Sequence, residues 1–367
     1  MTRKIAIAMP NLNGNEKKYV NDCMDTSWIS SAGKYVSLFE EAFAEFTGSA
    51  AAISCCNGTV ALHIPLIALG IGPGDEVIVP SLTYIATANA VRYCGAKPVF
   101  ADCLPDTWNI DPEDIKRKIS DKTKGIIPVH IYGNPCDMDS IMEIAREHGL
   151  FVLEDAAECL GASYKDKKAG TFGVAGTFSF FGNKIITTGE GGMIVTDDPE
   201  LDSKMRQIKG QGQDPDRRYW FTMVGYNYRM TNIEAAIGLA QLENINEHIA
   251  FRRRVAEWYK EELAGLEDYL QFQKITEGAE NIWWMFSILL TDKVKLGRDE
   301  FMKAMGDLGI ETRPVFYPMH IMPVYEDKNA ACPVSEKVAA RGLNLPTHSL
   351  LTREDVSYIC DAIKNLI

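Results

Sequence analysis

The chain holds 367 residues, enough for a large domain plus a smaller one, and its 46% hydrophobic and 24% charged residues suit a globular protein with a sizeable core. A formal net charge of −12 with no long Lys/Arg block excludes a general nucleic-acid binder, although a few backbone amides and one Arg can still build a local anion pocket. The nine cysteines are scattered without a C-x-x-C pair, so they read as reduced packing thiols, and no metal centre is expected. Neither a signal-peptide core within residues 1–18 nor an apolar run of spanning length is visible, so a soluble, cytoplasmic protein with no membrane partner is expected.

Residues 51–56 read as a strand, and a helix follows through Leu69. A buried strand is expected at 76–80, a helix over 84–93 and a strand at 98–102. Asp111-Pro112-Glu113-Asp114 is a helix start: Asp caps, Pro suits the first turn, and acids favour the positive helix end. A strand at 125–132, a helix over 139–148 and a strand at 150–153 come next. Strands at 177–181 and 192–196 are joined by the segment 182–191. A helix over 231–247 and a long charged helix over 250–263 follow. The remainder mixes strands (283–290, 310–316) with helices (298–308, 353–363). Such alternation predicts an α/β fold whose largely parallel sheet is sandwiched by helices, with ligands at the carboxyl ends of the strands. The domain boundary is expected near residue 248, giving a large domain over 1–248 and a smaller α+β domain over 249–367.

Three segments carry chemistry. Ser54-Cys55-Cys56-Asn57-Gly58-Thr59 lies where a strand turns into a helix; Gly58 allows close backbone approach, and the free amides of the first turn favour an anion such as phosphate. Asp155 ends a strand, where a carboxylate either caps a helix or pairs with a protonated pyridine nitrogen. Lys184 stands at the head of a Gly-rich loop after the aromatic strand Thr177-Phe178-Ser179-Phe180-Phe181. It is either an exposed loop lysine or a Schiff-base lysine activated by its surroundings. No G-x-x-x-x-G-K-[ST] loop occurs, and Gly189-Glu190-Gly191-Gly192 enters a strand rather than a helix, so kinase, P-loop and dinucleotide readings lack their defining element. His130, on a buried strand, reads as a satisfied core histidine.

The ordered motifs N-G-T, E-D-A-A-E, F-S-F-F-G-N-K-x-x-T-T-G-E-G-G and G-Y-N-Y-R-M-T-N resemble those of the DegT-type nucleotide-sugar aminotransferases, over nearly the whole chain. The resemblance implies the pyridoxal-phosphate (PLP) fold type I, like that of aspartate aminotransferase. Within that family, Tyr219-Trp220-Phe221, the segment 313–320 and Asn344-Leu345-Pro346-Thr347-His348 are similar to the perosamine-forming branch. By resemblance, Lys184 joins the cofactor as a Schiff base and Asp155 holds its pyridine nitrogen. Gly58, Thr59 and Ser179 bind its phosphate, Tyr84 stacks on its ring, and Glu158 approaches its other face or its 3-hydroxyl. Asn227 would reach the phosphate of a neighbouring subunit's cofactor, which makes a homodimer with shared active sites part of the expectation. Arg313, His320 and His348 are expected near substrate. The implied substrates are L-glutamate and a nucleotide-linked keto-sugar, GDP-4-keto-6-deoxy-D-mannose first. A dTDP- or UDP-keto-sugar remains open, with Trp28-Ile29-Ser30-Ser31-Ala32-Gly33-Lys34 as the candidate base-reading loop. The related sugar 3-dehydratases carry His where Lys184 stands, which argues against that branch.

Overall fold

The computed structural model describes residues 3–327 and 330–367. In chain order its elements are α1 (Glu16–Asp25), α2 (Lys34–Thr47), β1 (Ala51–Cys55), α3 (Gly58–Ala68), β2 (Glu76–Pro80), α4 (Ala86–Tyr93), β3 (Lys97–Ala101), α5 (Pro112–Lys118), β4 (Thr123–Ile126), α6 (Met138–His148) and β5 (Phe151–Asp155). There follow β6 (Ser163–Tyr164), β7 (Lys167–Lys168), β8 (Ala175–Ser179), β9 (Gly192–Thr196), α7 (Pro199–Lys209), α8 (Asn232–Glu243) and α9 (Ile245–Glu262). The last third adds β10 (Leu270–Phe272), β11 (Ala279–Glu280), β12 (Phe286–Leu290), α10 (Arg298–Asp307), β13 (Arg313–Pro314), α11 (Pro333–Arg341), β14 (Gly342–Leu345) and α12 (Arg353–Leu366).

The seven-stranded central sheet runs β1-β9-β8-β5-β4-β2-β3. Its pairs from β8 outward to β3 are parallel, whereas β9 runs antiparallel to both β8 and β1. Helices on both faces explain why β1, β2, β5 and β9 are almost continuously buried, as the apolar runs in the sequence required. On one face Phe43 of α2 meets Phe178 and Phe180 edge-to-face at 5.0 and 5.6 Å, fixing the strand that leads to Lys184. A four-stranded antiparallel sheet, β10-β12-β14-β13, forms the core of the C-terminal region, and β11-β6-β7 make a small ladder.

The sheet and helix caps follow the sequence reading closely; Asp111, for example, accepts from the Glu113 amide at the start of α5. Four expectations change. The strand expected at 125–132 stops at Ile126, because Pro128 offers no N–H and Tyr132 adopts φ 56°, ψ 20°, a left-handed backbone that no strand continues. The helix expected over 231–247 breaks at Asn244 (φ −107°, ψ 12°), and α9 takes over at Ile245. The two C-terminal strands are shorter than expected, beginning at Phe286 and spanning only Arg313–Pro314. Helices α1, α2, α7 and α11 were not marked by the sequence reading at all.

The division near residue 248 falls in the first turn of α9. We propose to keep it, with one exception: Ile5 bridges Ile310 and packs into the C-terminal core with Tyr259 and Phe301. Among the described residues, no helix is long and apolar enough to cross a membrane.

Candidate active site

A cavity of about 660 Å³ opens where β1, β2, β4, β5 and β8 end, and the C-terminal region closes it with Trp284, Arg313, Phe316 and Asn344. Its position obeys the rule for open α/β sheets. The turn after β1 builds an anion cradle at one end. Asn57 caps α3 by accepting from the Val60 amide at 3.0 Å, leaving the earlier amides of Gly58 and Thr59 without helical partners by geometry. Gly58 lies so close to the end of β8 that an added Cβ would stand 2.7 Å from Ser179 Cβ and 2.9 Å from its Oγ. Only glycine lets that hydroxyl and the first turn of α3 face one point.

Lys184 stands at the other side of the cavity on the connection between β8 and β9. That connection is tied at its base: the Phe180 amide donates to Gly191 O (2.9 Å) and the Thr188 amide to Phe180 O (3.0 Å). The Lys184 Nζ lies 3.8 Å from Glu158 Oε1 and 3.8 Å from the centroid of the Trp284 ring. Burial pushes its pKa down, against the pull of Glu158 and Asp155. The Trp284 indole N–H donates to Asn183 O at 2.9 Å, so the ring is held under the lysine by the lysine's own loop.

Two carboxylates complete the floor. Asp155, the last residue of β5, accepts from the Thr87 hydroxyl at 2.7 Å and the Ala157 amide at 3.2 Å; burial raises its pKa against those two bonds. Glu158 accepts from the Tyr132 amide at 2.8 Å, and burial pushes its carboxyl up to about 7 even with Lys184 opposing. The left-handed backbone at Tyr132 aims that amide at Glu158. It also sets the Tyr132 ring between Phe316 (5.4 Å, 12°) and Trp284 (6.2 Å, 17°), with the phenol oxygen accepting from the Phe316 amide. The exposed Tyr84 ring lies above, 6.0 Å from Phe316.

Of the residues singled out in the sequence, Gly58, Thr59, Tyr84, Asp155, Glu158, Ser179, Lys184 and Arg313 line this one cavity. Arg313 is half exposed and pairs with Glu311 at 3.3 Å, leaving its fork open to solvent on the cavity side. Asn227 is exposed, bridges Gly210 and lies outside the cavity of its own chain. The structure does not bring His320 or His348 into it. His320 is buried between Ser81 Oγ (2.6 Å) and Glu336 (3.3 Å), and buried His348 receives the Leu350 amide. His130 is a fully buried histidine with both ring nitrogens engaged, by Glu154 and the Cys136 amide. The loop 28–34 exposes Trp28 and Ile29 but is anchored elsewhere, by Asn232 to Trp28 O and by Arg229 to Ser31.

Thr87, Tyr132 and Trp284 are not singled out by the sequence, and Phe316 and Asn344 fall inside the two resembling C-terminal segments without a role of their own. The Trp283-Trp284 pair before a strand and the Tyr132-Gly133 turn after one were visible signals; nothing local marks Thr87. Among the described residues, no three His, Cys, Asp or Glu side chains converge as a metal site would require.

Comparison with known proteins agrees with this geometry. Residues 10–364 match the model of the DegT/DnrJ/EryC1/StrS aminotransferase family. A GDP-perosamine synthase of Caulobacter vibrioides is 53% identical over 365 residues, 99% of this chain and 98% of that protein. Another, of Escherichia coli O157:H7, is 50% identical over 98% of this chain and 97% of its own length. Among solved structures, Helicobacter pylori PseC, an aminotransferase involved in the biosynthesis of pseudoaminic acid, superposes with a TM-score of 0.94 at 27% identity, covering 99% of each chain. A lysine, two carboxylates and an anion cradle on one cavity floor, in a sequence so matched from end to end, leave one assignment: the chain belongs to the DegT/DnrJ/EryC1/StrS aminotransferase family.

Proposed function

We propose that this protein is a PLP-dependent sugar aminotransferase. It moves the amino group of L-glutamate onto C4 of GDP-4-keto-6-deoxy-D-mannose, giving 2-oxoglutarate and the GDP-linked 4-amino sugar, GDP-perosamine. The observation that carries the reading is Lys184, an amine largely shielded from solvent and held 3.8 Å from Glu158, within a chain 53% identical to a GDP-perosamine synthase. Pyridoxal 5′-phosphate fits the residues present. The Gly58–Ser179 approach, too tight for a Cβ, makes a cradle of amides and a hydroxyl suited to its phosphate. A buried carboxylate, Asp155, is the partner its ring nitrogen needs, and Lys184 is the amine that its carbonyl needs. Bound there, the cofactor supplies a carbonyl that takes up the amino group and a ring that draws off electrons.

The chain's own groups do the rest. Gly58, Thr59 and Ser179 bind the phosphate, and Tyr84 covers the ring. Asp155, held by Thr87 and the Ala157 amide, keeps a negative charge where the ring nitrogen's positive charge stands. Lys184, its pKa lowered by burial, would take the proton from the α-carbon of the donor and hand it to the cofactor's former carbonyl carbon; with the keto-sugar it would run the two transfers in reverse. Glu158, its carboxyl raised to about 7 by burial, stands 3.8 Å from the Lys184 amine. Arg313 offers a planar fork to the donor carboxylate or to the diphosphate.

We propose a homodimer in which Asn227 completes the neighbouring subunit's phosphate site. Supporting it, the stretch before Asn227 leaves Tyr219, Trp220, Phe221 and Val224 exposed together, a patch a second copy would cover. The cytoplasm, where nucleotide sugars and free thiols both persist, is the proposed location.

The test is mass spectrometry of protein, PLP, L-glutamate and GDP-4-keto-6-deoxy-D-mannose. A glutamate-dependent GDP-amino-sugar that vanishes in Lys184→Ala is expected. A product that has lost water without gaining nitrogen would make the protein a dehydratase. Unchanged GDP-sugar with turnover of a dTDP- or UDP-keto-sugar would keep the aminotransferase and discard the GDP substrate.

A further inference from the structure

Arg252, on α9, is 3% exposed, and burial alone acts on its guanidinium, lowering the pKa to about 10; among the described residues it has no carboxylate partner. Its donors go instead to three main-chain carbonyls. Nη1 donates to Trp284 O (2.8 Å) and Thr347 O (2.7 Å), and Nη2 to Lys184 O (3.4 Å). Those carbonyls belong to three separate segments: the connection after β8, the approach to β12 and the exit from β14. The titratable groups that face Arg252 are His248, one turn earlier on α9, and His348, next to Thr347. Burial first and the Arg252 charge second lower the pKa of both, and the Nε2 atoms of both lack hydrogen-bond partners. Both shifts favour the neutral imidazole, so neither histidine offers Arg252 a counter-charge.

An apolar side chain would fill the same space without the penalty of burying a charge. What the guanidinium adds is a rigid, planar set of donors that can hold several acceptors in one fixed arrangement. Here two of the acceptors belong to the very residues whose side chains meet in the cavity. Lys184 and Trp284 are bound through their carbonyls to one guanidinium, and Trp284 is bound a second time, through its indole N–H, to Asn183. The ring under Lys184 Nζ is thus fixed at both ends relative to the lysine's own backbone.

We propose that Arg252 is a positioning residue for Lys184: by clamping the Lys184, Trp284 and Thr347 carbonyls, it holds the indole face in register with the lysine amine while that amine moves protons. The inference rests on reading Lys184 as the reactive amine, and it concerns the placement of that amine, not the identity of the sugar.

The experiment uses the full chain, first without cofactor. Pulse acetylation followed by peptide mass spectrometry reads the rate at Lys184 against all other lysines, in wild type, Arg252→Lys, Arg252→Met, Trp284→Phe and the Arg252→Met/Trp284→Phe double variant. Loosening the clamp should speed acetylation of Lys184 in Arg252→Met by about threefold or more, with the other lysines unchanged. Arg252→Lys should recover part of the difference, and the double variant should go little beyond the larger single effect, as expected for residues acting as a unit. With cofactor bound, the half-reaction rate at saturating L-glutamate should fall at least about tenfold in Arg252→Met, while cofactor affinity changes far less. A wild-type acetylation rate in Arg252→Met would overturn the proposal, as would single effects that simply multiply in the double variant. Loss of folding in both Arg252 variants would also overturn it, assigning the residue to stability alone. If Lys184 responds as expected but no GDP-sugar is aminated, the positioning role stands and the proposed function falls.

Discussion

Gly58→Ala probes the anion cradle with a control built into the same chain. The added Cβ would stand 2.7 Å from Ser179 Cβ and 3.3 Å from Ser179 Cα. Ordinary contact between carbons begins at about 3.4–3.5 Å, so the pair must separate by about 0.7 Å. Ser179 cannot provide that distance, because β8 is paired on one side with β5 and on the other with β9. The start of α3 has to retreat instead, carrying the Gly58 and Thr59 amides away from the serine hydroxyl. Overpacking of this kind costs about 1–3 kcal/mol. Without phosphate the helix end is free to retreat; with phosphate bound it is pinned, so most of the cost falls on binding. PLP affinity should therefore drop about 10- to 100-fold, since each 1.4 kcal/mol is a factor of ten. The assay is a titration of cofactor-free protein with PLP followed by absorbance, repeated with inorganic phosphate as competitor. Gly72→Ala is the control, because a Cβ there meets nothing within 4 Å. If the two variants bind PLP and phosphate alike, Gly58 and Ser179 do not form the cradle.

Glu158 has its carboxyl raised to about 7 by burial, so its neutral form is the one the fold prefers. That contribution is complete below the ordinary carboxyl range and fades as the pH rises toward 7, for a total of up to about 3 kcal/mol. Urea unfolding of cofactor-free protein from about pH 5 to 8 should show this decline, and Glu158→Gln should flatten it; parallel curves would refute the assignment. Mixing inactive Lys184→Ala chains with inactive Asn227→Ala chains should restore up to about a quarter of wild-type activity, because a mixed dimer rebuilds one intact site of two. No recovery after co-refolding would dispose of the shared site. His348→Gln should shift stability while leaving the KM for both substrates unchanged, since the histidine lies outside the cavity; a several-fold rise in KM would reinstate it as a substrate contact.

The parts of the site that local sequence made legible are those where a strand runs into a turn. Asn57-Gly58-Thr59, Asp155 and Lys184 each follow a short apolar run and carry their own signals: a cap, a carboxylate at a strand end, a glycine-rich connection. The sheet itself was readable for the same reason. What escaped are the groups that reach the cavity from far along the chain. Trp284 lies a hundred residues beyond Lys184, and nothing near it in sequence says which face it will present or to whom. Thr87 acts on Asp155 from the first turn of α4, and its hydroxyl is indistinguishable in sequence from any helix threonine. His320 and His348 lie outside the cavity for the converse reason. Polar residues in a resembling loop suggest contact with ligand, whereas His320 is buried against Ser81 and His348 is buried within the field of the Arg252 charge.

The reversal of β9 has a mechanical consequence for the lysine. In a fully parallel sheet the chain leaving β8 would have to cross back over a face before pairing again, and a reactive group on that path would ride on a long tether. Here β9 returns beside β8 at once, with the Phe180 and Gly191 backbones bonded to one another at the neck of the connection. The lysine sits on a connection whose two ends are tied to paired strands of the central sheet. Its reach between partners therefore rests on the rotations of its own methylene chain rather than on movement of a long tether.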